Sequence, residues 1–332
     1  MTFRRSLLAG IMLAASVLPA MAEDEGILVY NAQHETLTQA WADAFTKQTG
    51  IKVTLLQGSE LEAGNQILQE GANSPADVFL TENSPAMALV DNAGLLEPLP
   101  ADILDQVPAE YRPANGHWTG IAARSTVFAY NTAKLNPETL PKSLLDLADS
   151  AWKGRWTASP GGADFQAIVG ALLALKGEEA TSAWLKAMKD NVTPVRGNRT
   201  AMAAVNKGEF EGAVIYHYYW FGDQAGTKEN SANVGLHYFK NEDPGAFVSI
   251  SGGGVLASSK HKDQALAFLK WVTGKAGQAE LRDGSSFEYA IGVGEAANPA
   301  LPPFADLQAP KLDPTQLDSA KVTALMTAAG LL

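Results

Sequence analysis

The stretch from residue 27 to residue 82 alternates short apolar runs with a helical pattern, and this alternation constrains the fold most. Residues 27–30 are wholly apolar, and apolar residues then recur at helical spacing until Gly50. Residues 51–56 and 78–82 predict two further short strands, and Glu82 falls just past the end of the second. A strand, a helix and a strand at this spacing predict a βαβ unit with parallel strands. Because ligands bind at the carboxyl ends of such strands, His34 and Glu82 are predicted to share one edge of the sheet.

The same kind of pattern begins again in the second half of the chain. Residues 156–159 predict a strand, residues 160–163 a glycine-rich turn, and residues 165–175 a buried helix. Arg124 stands within a long predicted strand at 121–130, and the segments 243–250 and 252–256 are predicted to pair with each other. Two chain crossings, near Arg124 and near Pro244, predict two α/β lobes joined by a two-stranded hinge.

Residues 216–220, Tyr-His-Tyr-Tyr-Trp, follow directly on the apolar run 211–215, which predicts a buried strand. Successive side chains of a regular strand point to opposite faces, so Tyr218 and Tyr219 converge only where the strand breaks into a turn or a helix. A phenol titrates near pH ~10, and only a strongly charged cation makes it a ligand at neutral pH. The stretch therefore predicts a ferric-ion site or, alternatively, an aromatic core cluster or a sugar-stacking platform.

The first 22 residues have the pattern of a secretory signal. Arg4 and Arg5 precede the apolar run 7–18, and small residues at 20–22 predict cleavage before Glu23, by ordinary or twin-arginine export. The sequence contains no cysteine, so disulfides and a cysteine-linked lipid anchor are not expected. Without the signal, 23 basic and 36 acidic residues give a net charge of −13, because residues 1–22 contain two arginines and no acid. This charge argues against nucleic acid and anionic lipid as partners.

The motifs at 29–34, 74–82 and 218–220, with those at 243–246 and 274–278, resemble the periplasmic ferric-ion-binding proteins of ABC iron importers. The resemblance extends over nearly all of the chain after residue 22. It implies an α/β, two-lobe periplasmic-binding-protein fold, in which each lobe is a mixed sheet flanked by helices and a two-stranded hinge joins the lobes. The implied domains are the signal peptide 1–22, an N-lobe of 23–122 plus 246–300, and a C-lobe of 123–245 plus 301–332.

The resemblance also implies the ligands and the partners. Ferric iron is expected in the interlobe cleft, bound by His34, Glu82, Tyr218 and Tyr219, so that binding closes the hinge. One carboxylate and two phenolates balance the charge of the ion, and a synergistic anion, phosphate or carbonate, is expected to fill the remaining positions. The expected role is that of a monomeric periplasmic receptor that delivers iron to an inner-membrane ABC permease, without enzymatic activity and without inserting into the membrane.

Residues of the expected anion site follow from the same resemblance. They are Gly161, Gly162, Ala163, Asn198 and Arg124. Gly161 replaces a serine of the phosphate-binding members, and Tyr216 replaces an asparagine, so phosphate and carbonate both stay open. Arg124 fits equally well as one half of a salt bridge in the hinge.

Each ligand also has a structural interpretation, because His34 suits a surface loop and Glu82 suits a helix N-cap. His217 is predicted to line the pocket without binding iron, and Tyr216 and Trp220 are predicted to pack. The other histidines, His117, His237 and His261, are predicted to be structural or on the surface. A receptor of the same fold for a polyamine, thiamine or an organic phosphate is the nearest alternative function. A secreted glycosidase that uses Glu82 as its acid is the alternative from another class, but no second carboxylate is predicted opposite Glu82.

Overall fold

A computed structural model describes residues 26–332. The predicted signal peptide and its cleavage site lie outside the described residues. Within this range the strands are β1 (Ile27–Ala32), β2 (Val53–Gln57), β3 (Val78–Thr81), β4 (Thr119–Asn131), β5 (Trp156–Ala158), β6 (Val192–Pro194), β7 (Gly212–Tyr216), β8 (Val234–His237) and β9 (Val248–Val255). The helices are α1 (Glu35–Thr49), α2 (Glu60–Glu70), α3 (Ser84–Asn92), α4 (Ala101–Leu104), α5 (Ala163–Asn191), α6 (Asn198–Asn206), α7 (Tyr218–Ala225), α8 (Lys262–Thr273), α9 (Lys275–Asp283) and α10 (Ser319–Ala328).

The first three strands form the predicted parallel unit. β1 pairs in parallel with β2 on one side and with β3 on the other, and α1 connects β1 to β2. Gly50 ends α1 in the left-handed region, at φ 80°, where a residue without Cβ is not strained. The predicted βαβ unit is therefore confirmed, and the carboxyl ends of β1 and β3 lie at the same edge.

One mixed sheet runs through the molecule in the order β2-β1-β3-β9-β4-β7-β5-β6, with β8 also paired to β4. β4 and β9 are antiparallel neighbours at its centre, with Arg124 opposite Ser249 and Ser125 opposite Val248. These two long strands are the two predicted crossings. Flanking helices complete an α/β fold of the predicted class.

The buried apolar residues separate into groups on the two sides of this central pair. β4 contributes Ile121 and Ala122 to a core built with α1 and α8, and it contributes Val127 and Phe128 to cores built with β7. Separate cores on either side of one strand pair support the predicted division into two lobes. The exact boundaries at 122, 245 and 300 stay predictions.

Three details differ from the sequence-based expectation. β9 is one strand that pairs with β3 and β4, and the segments 243–250 and 252–256 do not pair with each other. The apolar pattern of residues 260–276 predicts one amphipathic helix, but the structure divides this segment into α8 and α9 at Gly274. Asp313 and Pro314 are predicted to cap the last helix, whereas Asp318 caps it by accepting from Lys321 N–H and Asp313 caps a separate short 3₁₀ turn. Among the helices of residues 26–332, none has the length and apolar character that a membrane span requires.

Candidate metal centre

The two tyrosines meet at the junction between β7 and α7. The strand ends at Tyr216, His217 has helical backbone angles, and the helix begins at Tyr218. This change of structure brings the rings of Tyr218 and Tyr219 to 4.2 Å between centroids. Their hydroxyls donate to the same atom, Asp164 Oδ2, over 3.3 Å and 3.0 Å respectively. The predicted convergence of two phenols at a strand end is therefore present.

His34 and Glu82 reach the same place from β1 and β3. His34 precedes α1, Glu82 directly follows β3, and their side chains approach to 3.0 Å between Nε2 and Oε1. The His34 ring also packs edge-on against the Tyr218 ring, 4.7 Å away. The four side chains predicted as iron ligands thus lie side by side, two from each group of strands.

Glu288 fixes the orientation of the His34 ring. Its carboxylate accepts from His34 Nδ1 over 2.8 Å, and its other oxygen pairs with Arg124. This leaves Nε2 of His34 directed at Glu82, which is the arrangement that orients a metal-binding histidine. Burial lowers the pKa of His34, but the charges and hydrogen bonds of Glu288 and Glu82 raise it to about 10. For Glu288 the effects have the opposite sign. Burial raises its pKa, whereas the charges and hydrogen bonds of Arg124 and His34 lower it, to about 2.

Arg124 is fully buried and belongs to an ion-pair network. It donates to Ser251 Oγ over 2.7 Å as well as to Glu288, and its Nη1 lies 3.5 Å from Glu82. Its Nε and Nη1 have no hydrogen-bond partner within the described structure. Of its two predicted roles, the hinge ion pair is present, while binding of an anion stays a prediction.

Of the remaining residues predicted for the anion, Asn198 contacts a carboxylate of the protein itself, and the other three directly precede that carboxylate in the chain. Gly161 and Gly162 form the turn before α5, Ala163 begins the helix, and Asp164 follows in its first turn. Asn198 Nδ2 donates to Asp164 Oδ2 over 2.8 Å, and this is the oxygen that both tyrosine hydroxyls contact. A carboxylate thus lies between one residue predicted for the anion and the two tyrosines predicted for the metal.

The surroundings raise the pKa of both phenols and of this carboxylate. Burial, then the charges of Asp164 and neighbouring groups, raise the pKa of Tyr218 and of Tyr219 above the ordinary value. Burial, then Glu82, raise the pKa of Asp164. Several acids packed together without enough positive charge form a site that a trivalent cation would stabilise.

The other singled-out residues take structural positions. His217 is buried, its Nδ1 accepts from the Ser125 backbone N–H over 3.1 Å, and burial lowers its pKa to about 4. Tyr216 is buried and its hydroxyl donates to Asn83 Oδ1 over 3.2 Å. Trp220 donates to the Val234 carbonyl. These positions agree with the predicted packing roles.

Two of the remaining histidines have carboxylate partners away from the site, because His117 contacts Asp91 and His261 contacts Asp77. Within residues 26–332, no group of three or more histidine, cysteine, aspartate and glutamate side chains is arranged to bind a metal.

Three residues of this centre were not predicted from the sequence. Glu288 lies 254 positions from His34, so no local pattern connects them. Asp164 had one signal, its position directly after the glycine-rich turn, but acidic residues in the first turn of a helix are common for electrostatic reasons alone. Asn83, next to Glu82, reaches Asp164 only in the folded chain.

Comparison with known proteins gives consistent matches. The family model described as bacterial extracellular solute-binding protein matches residues 73–315. The Fe(3+)-binding periplasmic protein of Serratia marcescens is 65% identical over 327 residues, 98% of this chain and 97% of that protein. The major ferric iron-binding protein of Neisseria gonorrhoeae is 38% identical over 99% of both chains. The solved structure of iron-bound HitA from Pseudomonas aeruginosa superposes with a TM-score of 0.87 at 41% identity, covering 92% of this chain and 99% of that one.

Proposed function

Since the chain belongs to the bacterial extracellular solute-binding proteins, and among them to the periplasmic ferric-ion-binding proteins, we propose that it captures ferric iron between its lobes and delivers it to an ABC permease. Its relatives are named for binding ferric iron, and the proposed role is binding without catalysis. The observation that carries the proposal is the meeting of His34, Glu82, Tyr218 and Tyr219 at one point.

In this proposal His34 Nε2, one oxygen of Glu82 and both phenolate oxygens bind the ion. Oxygen anions suit a hard, trivalent cation, and the neutral imidazole adds a donor without charge. Glu288 supports the site by accepting from His34 Nδ1, and Arg124 offsets part of the negative charge. Iron would replace the protons that the iron-free site holds on His34 and on the two tyrosines.

We further propose that Asp164 takes the place expected for an exogenous anion. Its Oδ2 already contacts both tyrosine hydroxyls and Asn198, so a small movement would place it on the ion. Five donors from the protein would leave one position of an octahedral ion for water or an anion. Phosphate or carbonate is then not required for binding, although either is compatible with the open position.

The cellular setting is part of the same proposal. The secretory pattern of residues 1–22 and the periplasmic relatives support export to the periplasm. We propose that the N-lobe (23–122 plus 246–300) and the C-lobe (123–245 plus 301–332) open about β4 and β9 to release iron to the permease. A monomer suffices, because the four ligands come from one chain.

A ferric titration tests the function. The iron-free protein without residues 1–22 is titrated with ferric citrate, and a ferric–phenolate band is expected in the visible spectrum at one iron per chain. Tyr218→Phe and Tyr219→Phe should each shift the band and weaken binding at least about 100-fold, more than is typical of an outer-shell change. Tyr130→Phe is the matched control at a tyrosine away from the site. A colourless protein, or full affinity in both variants, would refute the proposal.

A second titration tests the role of Asp164. In buffer free of phosphate and carbonate, the native protein should keep its iron on dialysis, whereas Asp164→Asn should lose it and recover retention when phosphate is added. Asp190→Asn, at an exposed position, is the control. Loss of iron from the native protein in this buffer would instead support the exogenous anion.

A further inference from the structure

A second cavity lies on the other side of the hinge strand. It measures about 680 Å³ and is bounded by three segments: residues 109–114, the β9 residues Val248 and Ile250, and residues 304–314. Cavities of this size hold small organic molecules. It shares no lining residue with the candidate metal centre.

The alternation of side chains along β9 explains this separation. Ser249 Oγ donates to Asn83 over 2.6 Å, and Ser251 Oγ accepts from Arg124 over 2.7 Å, so these serines face the metal centre. Val248 and Ile250 point to the opposite face and line the cavity. A single strand therefore has the metal centre on one face and the cavity on the other.

The walls of the cavity are mainly apolar. Besides the two β9 residues they include Phe304, Pro310 and Leu312. The Phe304 ring packs edge-on against that of Tyr111 at 5.8 Å, which joins the two outer segments across the cavity. An occupant must therefore present an apolar body, aromatic or aliphatic.

The acidic and the basic residues of the cavity lining differ in whether their side chains have hydrogen-bond partners. Glu110 is hydrogen-bonded to the Tyr111 hydroxyl, and Asp313 accepts from the backbone and the hydroxyl of Thr315. Both acids therefore have partners already.

The two basic residues of the lining are less well partnered than the acids. Arg112 Nε is buried without a hydrogen-bond partner in the described structure, and the only acid paired with its guanidinium, Asp105, is 3.5 Å away and 75% exposed. Lys311, also in the lining, makes no ion pair or hydrogen bond within residues 26–332. The lining holds two acids and two cations, and the groups free to bind an anion are the buried N–H at Arg112 Nε and the exposed ammonium of Lys311.

We propose that this cavity binds an amphipathic organic anion, with its apolar body against Val248, Ile250 and Phe304 and its carboxylate or sulfonate at Arg112 and Lys311. A bound molecule fixes the face of β9 opposite Ser249 and Ser251. Occupancy and the lobe arrangement of the metal centre are then coupled, and such coupling acts equally in both directions. The coupling rests on the proposed function, whereas the binding itself does not.

Calorimetric titration with anilinonaphthalene sulfonate, an aromatic sulfonate, tests the binding on the iron-free protein. One site is expected. Arg112→Gln should weaken it about tenfold, equivalent to about 1.4 kcal/mol, and Ala309→Trp, which places an indole ring in the cavity, should abolish it. Arg196→Gln and Ala133→Trp, both at exposed positions outside the lining, are the matched controls. Thermal unfolding of each variant verifies that it folds. Binding that survives Ala309→Trp in the folded protein, or no saturable binding at all, would overturn the proposal.

The same titration on iron-loaded protein tests the coupling. The cavity is formed in the arrangement that brings the four metal ligands together, so iron should strengthen binding of the sulfonate at least threefold. An equal or weaker affinity would overturn the coupling. If no iron band forms at all, the proposed function fails, while the titration of the iron-free protein still decides the cavity.

Discussion

Asn83 and Asp164 are joined by a hydrogen bond of 3.2 Å from the Asn83 side-chain amide to Asp164 Oδ1. Asn83 follows Glu82 at the end of β3, whereas Asp164 lies in the first turn of α5, on the other side of the central strand pair. The Asn83 side-chain oxygen, Oδ1, accepts from the hydroxyls of Ser249 on β9 and Tyr216 on β7. One buried amide thus connects both halves of the candidate centre to the hinge.

Asn83→Ala should therefore weaken iron binding without removing a ligand. The change leaves Asp164 Oδ1 without this donor, and outer-shell changes of this kind cost about 10- to 100-fold in metal affinity. Competition with citrate, followed at the visible band, measures the loss. Asn92→Ala, at an exposed position at the end of α3, is the control. Unchanged affinity in the Asn83 variant would mean that the amide does not position Asp164.

Glu288→Gln tests the buried ion pair behind His34. The substitution leaves Arg124 charged in the interior with Glu82, 3.5 Å away, as its remaining carboxylate partner, and breaking a buried pair in this way costs about 3–5 kcal/mol of unfolding free energy. Glu211→Gln breaks a partly exposed pair with Arg155 and should cost under about 1 kcal/mol. Urea unfolding at neutral pH compares the two variants, and similar losses in both would contradict the buried pair's role.

The acid dependence of the Glu288 variant follows from the sign of its shift. The pKa of Glu288 is lowered to about 2, so its stabilisation is present above the ordinary value near 4.5 and is lost as pH falls towards 2. The difference in unfolding free energy between the native protein and Glu288→Gln should accordingly shrink over this window. A difference that stays constant down to pH 2 would exclude Glu288 as its source.

Iron binding should release protons. The pKa of His34 is raised to about 10 and those of Tyr218 and Tyr219 lie above their ordinary value, so all three are protonated at neutral pH without iron. Ferric ion, added as a weak chelate, should displace about three protons per ion bound, and acid should release the iron from the site. Titration at constant pH counts the protons after correction for the chelator. Tyr218→Phe loaded with excess iron should release one fewer, and an identical count would argue against phenolate binding.

The extent of prediction from sequence differs between the strands and the centre. The βαβ unit and the tyrosine junction follow from local sequence patterns, because a buried strand or helix requires apolar residues at a fixed spacing along the chain. The sequence predicts two paired strands, 243–250 and 252–256, whereas β9 is one strand that pairs with β3 and β4. Its glycines at 252–254 lie in close contact with neighbours, and a Cβ at Gly253 would lie 2.7 Å from Leu269.

No local sequence pattern predicts the residues that surround the four proposed ligands. Glu288, Asn83 and Asp164 are polar residues whose partners lie far away in the chain, and each has an ordinary local interpretation. The ligands themselves were identified through resemblance to a family, and their convergence depends on the strand order of the folded sheet. The histidine and glutamate share an edge for the reason predicted, namely that β1 and β3 are parallel neighbours.

Glu60 supplies the last prediction. It is buried at the start of α2, and its carboxylate accepts from the Asn83 backbone and, over 3.2 Å, from the Asn83 side chain. Burial, then the charge of Glu82, raise its pKa to about 8. An acid whose pKa is raised on folding favours the folded state most below its ordinary value near 4.5, and this contribution is lost as pH rises towards 8.

Glu60→Gln removes this titration while keeping the size of the side chain. The melting temperature of iron-free Glu60→Gln relative to the native protein should therefore rise progressively between pH 4.5 and pH 8, since only the native protein must hold, in its folded state, a proton that its unfolded chain loses. Glu179→Gln, at an exposed position on α5, should show a difference that does not vary with pH. A difference between Glu60→Gln and the native protein that is constant across this window would mean that Glu60 ionises in the folded protein as easily as in the unfolded chain, and that its burial against Asn83 carries no electrostatic cost.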